Sequence, residues 1–174
     1  MLGVGLGEPV DVELSAFTEA TDRKVLAAML DEGLAILDGL WSGEEFSFDG
    51  EHYRLAPMTF LPRPVQRPRI PIIVAGYWPH KGPIRRAARW DGMNVIFPYP
   101  TEGWEEKTRA LVAELKSLRE DPDAPFEYFD GGHTPGEDDP AVSASLGATW
   151  WVESIDPWLS CFKSSRLRGL REAR

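Results

Sequence analysis

Two hydrophobic periods alternate along this chain. Leu2 to Leu6 (LGVGL) is a short apolar run broken by glycines and closed by Gly7, the pattern of a buried strand ending in a tight turn. Residues 8–21 are polar and irregular. From Asp22 to Trp41 the spacing becomes helical. Val25, Leu26, Met29, Leu30, Ile36, Leu37, Leu40 and Trp41 form a broad apolar face, and Lys24, Asp31 and Asp38 lie opposite it. Gly43 supplies a stop. Phe46 to Leu55 alternates with period two around Asp49-Gly50, which predicts a hairpin closed by a two-residue turn with positive φ angles. Prolines at 62, 64, 68 and 71 then predict an extended surface run, because proline removes a donor and fixes φ.

Beyond this run the alternation becomes regular. Ile72 to Ala75, Met93 to Phe97, Phe126 to Phe129 and Ala148 to Glu153 read as strands. Between them lie a helix from Pro83 to Trp90 with proline in its first turn, a helix from Thr101 to Arg119, and a short helix from Pro140 to Leu146. Thr101 caps the second of these, and Trp104, Thr108, Leu111, Leu115 and Leu118 form its inward stripe. The segment from Pro157 onward is helical in character. Near-continuous apolar strands alternating with helices predict an α/β fold with a helix-covered parallel sheet. An open doubly wound sheet and an eight-stranded barrel both fit that pattern. The chain has 174 residues, against about 250 for a closed eight-unit barrel, so it is too short to close one alone.

Composition narrows the function classes. A net charge of -9 argues against nucleic acid as a partner, since phosphate-backbone binding needs a basic surface, but leaves room for one phosphate held by local groups. Cys161 is the single cysteine, so no internal disulfide and no cysteine metal cluster is expected. His52, His80 and His133 are scattered without ligand spacing, and no metal site is predicted. The opening MLGVGLGEPV has no basic segment and no long apolar run. The expectation is a cytoplasmic protein without signal peptide or membrane span.

GVGLG at Gly3–Gly7, LDEGLAILDGLWSGEEFSFDGEHYRL at Leu30–Leu55, PRPVQRPRIPIIVAG at Pro62–Gly76 and RRAARWDG at Arg85–Gly92 together resemble the luciferase-like flavin-dependent monooxygenases. GATWWVES at Gly147–Ser154 resembles the last strand of that family. The resemblance implies a partial TIM (β/α) barrel of the bacterial luciferase-like type, with about five of eight strand–helix units. Residues 1–174 would form one luciferase-like domain, the carboxyl-terminal portion of the barrel. Leu2 to Leu6 would be the fourth strand, the hairpin an insertion after the fourth helix, Ile72 to Ala75 the fifth strand and Ala148 to Glu153 the eighth. The first three units then have no counterpart. A start codon set too far downstream is one account of that gap. The implied activity is that of a flavin-dependent oxidoreductase or monooxygenase using reduced FMN, or a deazaflavin, with oxygen on a small organic substrate. The alternative is a non-catalytic truncated paralogue that folds, self-associates or binds flavin weakly. Two open parallel edges, at Leu2–Leu6 and Ala148–Glu153, predict a homodimer, a complementing chain or poor solubility.

The stretch from Pro71 to Gly92 carries the chemistry. A buried strand runs into Gly76, Tyr77, Lys81 and Gly82 and then a helix opening at Pro83. Backbone N–H groups at such a junction suit an anion, and glycines let it approach. In the resembled family the equivalent loop contacts the FMN phosphate. Pro83 has no N–H, so Gly82 and the amides after it would donate, with Lys81 as a mobile charge and Arg85 and Arg86 either assisting or facing solvent. The other reading is an ordinary capped connection. Gly5 and Gly7 could let a flavin edge lie against backbone, with Glu8 at the rim, or could simply mark a bend. Trp150 and Trp151 must point to opposite faces of their strand, one of them inward, as pocket wall or as core. His80 is the one histidine near the proposed site, and no residue is assigned as catalytic. Glu105 and Arg109 form an ordinary helical pair.

Overall fold

Short strands alternating with helices build one parallel sheet with helices against one side. The structure, a computed structural model, describes residues 1–7, 15, 20–97, 102–132 and 139–153. Its elements are β1 (Leu2–Val4), α1 (Arg23–Trp41), β2 (Glu45–Asp49), β3 (Arg54–Thr59), β4 (Ile72–Tyr77), α2 (Lys81–Ala87), β5 (Gly92–Ile96), α3 (Trp104–Leu118), β6 (Glu127–Gly132), α4 (Pro140–Ser145) and β7 (Trp150–Glu153). The main sheet has the order β1-β4-β5-β6-β7, and every neighbouring pair is parallel. It is the curled, five-stranded wall of a half-barrel. The antiparallel ribbon β2–β3 stands apart from it.

The core lies between the sheet and its helices. Val74, Met93, Val95 and Tyr128 from the strands meet Ile84, Ala87, Leu111 and Leu115 from α2 and α3, all buried. Charged contacts fix α1. Asp22 caps it, accepting from the Lys24 and Val25 amides at 2.8 and 3.1 Å. Asp31 takes the buried Arg86 of α2 through two hydrogen bonds of 2.7 and 3.0 Å. Asp38 shares Arg69 with Asp91, and the Arg69 guanidinium lies 4.9 Å from the centre of the Trp90 ring. Asp31 and Asp38, read from the sequence as a polar outer stripe, are therefore the docking points of this helix. Its apolar face is less covered than the spacing predicts: Leu34 is buried, whereas Val25 is exposed.

The hairpin forms where expected, but its turn differs. Asp49 pairs with Arg54, so residues 50–53 make a four-residue loop, and Gly50 is not among the glycines with positive φ. The cause lies on α1. The Glu32 carboxylate accepts from the amides of Glu51, His52 and Tyr53 at 2.8, 3.0 and 2.9 Å. Three donors converging on one carboxylate outweigh the local preference of Asp-Gly for a tight turn. Desolvation raises the Glu32 carboxyl, but these three bonds hold it below the usual glutamate range.

Other boundaries shift as well. β1 ends at Val4 rather than Leu6, and β4 extends to Tyr77. α2 begins at Lys81 and ends at Ala87, so Pro83 is its third residue. α3 starts at Trp104 behind a left-handed Gly103 (φ 63°), and its buried stripe is Thr108, Leu111 and Leu115, with Leu118 exposed. The proposed cap Thr101, the rim residue Glu8, His133 and the segment from Pro157 lie outside the described residues. Among the described residues, no helix is long and apolar enough to cross a membrane.

Candidate functional site

Strand alternation assigns each side chain to a face. Val74 packs in the helix-side core, and a Cβ at Gly76 would lie 2.2 Å from Pro83 Cβ, so the even positions of β4 face α2. Ile73, Ala75 and Tyr77 therefore point to the inner face. Register carries this face across the sheet in rows. Ile73, Gly92 and Glu127 form one row, and Ala75, Asn94, Phe129 and Trp150 the next. Nearer the carboxyl ends come Tyr77 with Ile96, and Gly131 with Val152. Toward the carboxyl ends this face is exposed, with Tyr77 at 41%, Ile96 at 37%, Trp150 at 46% and Val152 at 43%, whereas Ile73 in the lowest row is buried.

All carboxyl ends of a parallel sheet share one rim, and the segment from Tyr77 to Gly82 lies on it. The Trp78 amide donates to the Ile96 carbonyl and the His80 amide to the Tyr77 carbonyl, both at 3.0 Å, which folds the loop over the ends of β4 and β5. The amides of Lys81 and Gly82, in the first turn of α2, have no acceptor among the described residues. The Lys81 side chain, expected to act as a mobile charge, is exposed and ion-paired. Its Nζ donates to Glu114 on α3 at 2.6 Å and lies 5.4 Å from the centre of the Trp78 ring. Arg86 cannot assist here, since it is buried against Asp31 on the far side of α2, whereas Arg85 is exposed. His80 is the exposed N-cap residue, without a side-chain capping bond.

Gly76, Tyr77, Lys81, Gly82 and Pro83 are thus neighbours at one corner of the rim, in two roles. Gly76 and Pro83 make the contact between β4 and α2. Tyr77 reaches the inner face, and Lys81 and Gly82 offer open amides. Gly5 belongs to the same inner surface, because a Cβ there would touch Ala75 Cβ at 3.7 Å. Gly7 follows β1 with φ 82°, a conformation that favours glycine.

The opposite end of the inner face is aromatic. Phe129 and Trp150 stack with centroids 5.4 Å apart and planes within 4°. Trp150 is the inward member of the tryptophan pair, and Trp151 shares its side with the buried Asp130. The Trp150 Nε1–H donates to Glu127 Oε2 at 2.9 Å, and Thr149 Oγ1 donates to the same oxygen at 2.6 Å. Between the two ends stands Asn94, half-buried, whose side-chain amide has no hydrogen-bond partner among the described residues. The sequence reading passed over Asn94, Phe129 and Glu127. The available signal was a lone amide in an apolar strand, Met93-Asn94-Val95, where alternation sets it opposite the core.

The profile of the luciferase-like monooxygenases matches residues 1–147. An uncharacterized protein of Mycobacterium tuberculosis is 36% identical over 129 residues, 72% of this chain and 40% of the relative. The F420-dependent glucose-6-phosphate dehydrogenase of Gordonia bronchialis is 32% identical over 134 residues, 75% of this chain and 37% of that enzyme. The FMNH(2)-dependent dimethylsulfone monooxygenase of Pseudomonas putida is 39% identical over 89 residues, 51% of this chain and 22% of that enzyme. The chain thus spans 40% or less of the length of these relatives.

Proposed function

Because this chain belongs to the luciferase-like monooxygenase family, we propose that it forms the carboxyl-terminal part of the barrel of a flavin-dependent oxidoreductase and holds the cofactor at its rim. The cofactor on this reading is reduced FMN, with a deazaflavin as the alternative, and the reaction is oxygenation of a small organic substrate in the cytoplasm. The supporting observation is an inner face that is exposed toward the carboxyl rim of a parallel sheet and there meets the amides of Lys81 and Gly82, which have no acceptor among the described residues. Those groups fit the cofactor: the amides suit a phosphate, and the small residues Gly5 and Ala75 let the edge of a planar ring come close to the sheet. The bound cofactor supplies the redox chemistry. This chain's residues would grip the phosphate and orient the ring. For Lys81 to add its charge it must leave Glu114, so the grip rests mainly on backbone.

Titration of FMN into the purified chain, followed by flavin fluorescence, is expected to saturate in the micromolar range. Gly82→Asp puts a carboxylate beside the phosphate and is expected to weaken FMN by roughly tenfold or more. The same titration with F420 separates the two cofactor classes. Absence of any flavin binding sinks the proposal.

A second reading, a non-catalytic chain that self-associates or awaits a complementing polypeptide, is favoured by three surfaces that are unpartnered among the described residues. These are the free edge of β1, the inner face, and an apolar groove of about 470 Å³ between β1 and α1 lined by Leu26, Met29, Leu30 and Leu37. Light scattering coupled to size exclusion is expected to give a species heavier than the 19.5 kDa monomer. A clean monomer that unfolds in one sharp transition would count against it.

A further inference from the structure

We propose that Asn94 reads the uracil-type edge of the cofactor ring, the hydrogen-bonding edge that FMN and deazaflavins share. The inference rests on the flavin reading above and adds the group that orients the ring. Its basis is the row Ala75–Asn94–Phe129–Trp150, which register sets side by side across four strands. Beside Asn94, Ala75 carries only a methyl group and Gly5 no side chain, so this end of the row stands low. Trp150 covers one face of the Phe129 ring, which leaves the other face on the Asn94 side.

The polar chemistry of the row selects the class of ring. Glu127, in the row beneath, already takes Thr149 and Trp150 on its Oε2 and, as a carboxylate, has no donor to offer a ring. Asn94 carries the polar side chain of the row that has no partner among the described residues, and an amide offers one donor group beside one acceptor. Its complement is a neutral ring edge with an N–H beside a carbonyl. The alternating carbonyl, N–H and carbonyl of a uracil-type ring supplies that pair. A phosphate or a carboxylate has no donor to match the amide oxygen.

The probes are lumiflavin, which has the ring without the phosphate, and 3-methyllumiflavin, in which the edge N–H is blocked. Fluorescence titration of the wild-type chain is expected to favour lumiflavin by about fivefold, the worth of one hydrogen bond between neutral groups. Asn94→Leu, of similar size, is expected to lose about that factor for lumiflavin and to treat the two rings alike. Gly82→Asp should weaken FMN and leave lumiflavin unchanged, which separates phosphate grip from ring recognition. If the wild-type chain binds both rings equally, the assignment is overturned without reference to any variant. If Asn94→Leu keeps the wild-type preference, it is likewise overturned. FMN binding without lumiflavin binding overturns the Asn94 assignment and leaves the flavin reading standing. Failure of FMN as well removes both.

Discussion

One methyl group added at residue 76, as Gly76→Ala, is expected to cost about 3 kcal/mol of folding stability. For a chain of this size that lowers Tm by roughly 6–12 °C. The new Cβ would stand 2.2 Å from Pro83 Cβ and 2.7 Å from Pro83 Cγ. Neither atom can swing aside, because both belong to a ring fused to the backbone of α2. Relief requires α2 to lift from β4, which opens the core around Val74, Ile84 and Ala87. Gly76 has no positive φ to forbid alanine, so the cost is contact and not backbone strain. Removing the opposing ring tests this directly. Pro83→Gly should carry its own modest helix penalty, yet the double variant should be less destabilised than the sum of the singles by about 1 kcal/mol or more. Thermal unfolding followed by circular dichroism reads all three. A Gly76→Ala melt within about 2 °C of wild type, or strictly additive singles, would show that α2 sits more loosely than the geometry requires. The same lift would move the Lys81 and Gly82 amides off the rim, so FMN affinity should fall alongside stability.

Much of the architecture was legible because it is written locally. Each parallel strand is a short apolar run bounded by glycine or proline, and each helix announces its period, so the order of elements and the sheet class could be read in advance. What could not be read depends on residues far apart in sequence. Asp49-Gly50 carries a local signal for a tight turn, but Glu32, about twenty residues away, recruits the next three amides and imposes a longer loop. Arg86 sits in a run that could equally have faced a ligand, and only the position of Asp31 on α1 shows that it points the other way. The site divides in the same manner. Gly76, Tyr77, Lys81 and Gly82 were visible as a strand-to-helix junction. The inner rows exist only through register between strands tens of residues apart, and no window along the chain joins Ala75 to Trp150. Lys81 was recognised as a cation, but its Glu114 partner lies on the next helix and was invisible from the loop.

Asp31→Ala is expected to lower stability by about 2–4 kcal/mol at neutral pH, near the range for unpairing a buried charge and discounted for the partial exposure of Asp31. The Arg86 side chain is 6% exposed, and its guanidinium reaches Asp31 Oδ1 at 2.7 Å, Asp31 Oδ2 at 3.0 Å and the Ala27 carbonyl at 3.1 Å. Without the carboxylate, the carbonyl alone faces a buried cation. Arg89 also donates to Asp31 Oδ1, at 2.6 Å, but its side chain is 61% exposed, so Arg89→Ala should cost well under 1 kcal/mol. Protonation supplies an independent check. Burial raises the Asp31 carboxyl, yet the hydrogen bonds and charges of Arg86 and Arg89 outweigh it and hold the group below the usual aspartate range. A depressed folded value means the stabilisation is fully present above the unfolded value of about 3.9 and is lost as pH falls through the folded one. The gap in Tm between wild type and Asp31→Asn, which keeps the shape without the charge, should therefore be constant from pH 7 to about pH 5 and narrow below pH 4. A gap that is absent at pH 7, or that persists undiminished at pH 3, would mean that the contact between α1 and α2 is held by packing and that the ion pair only decorates it.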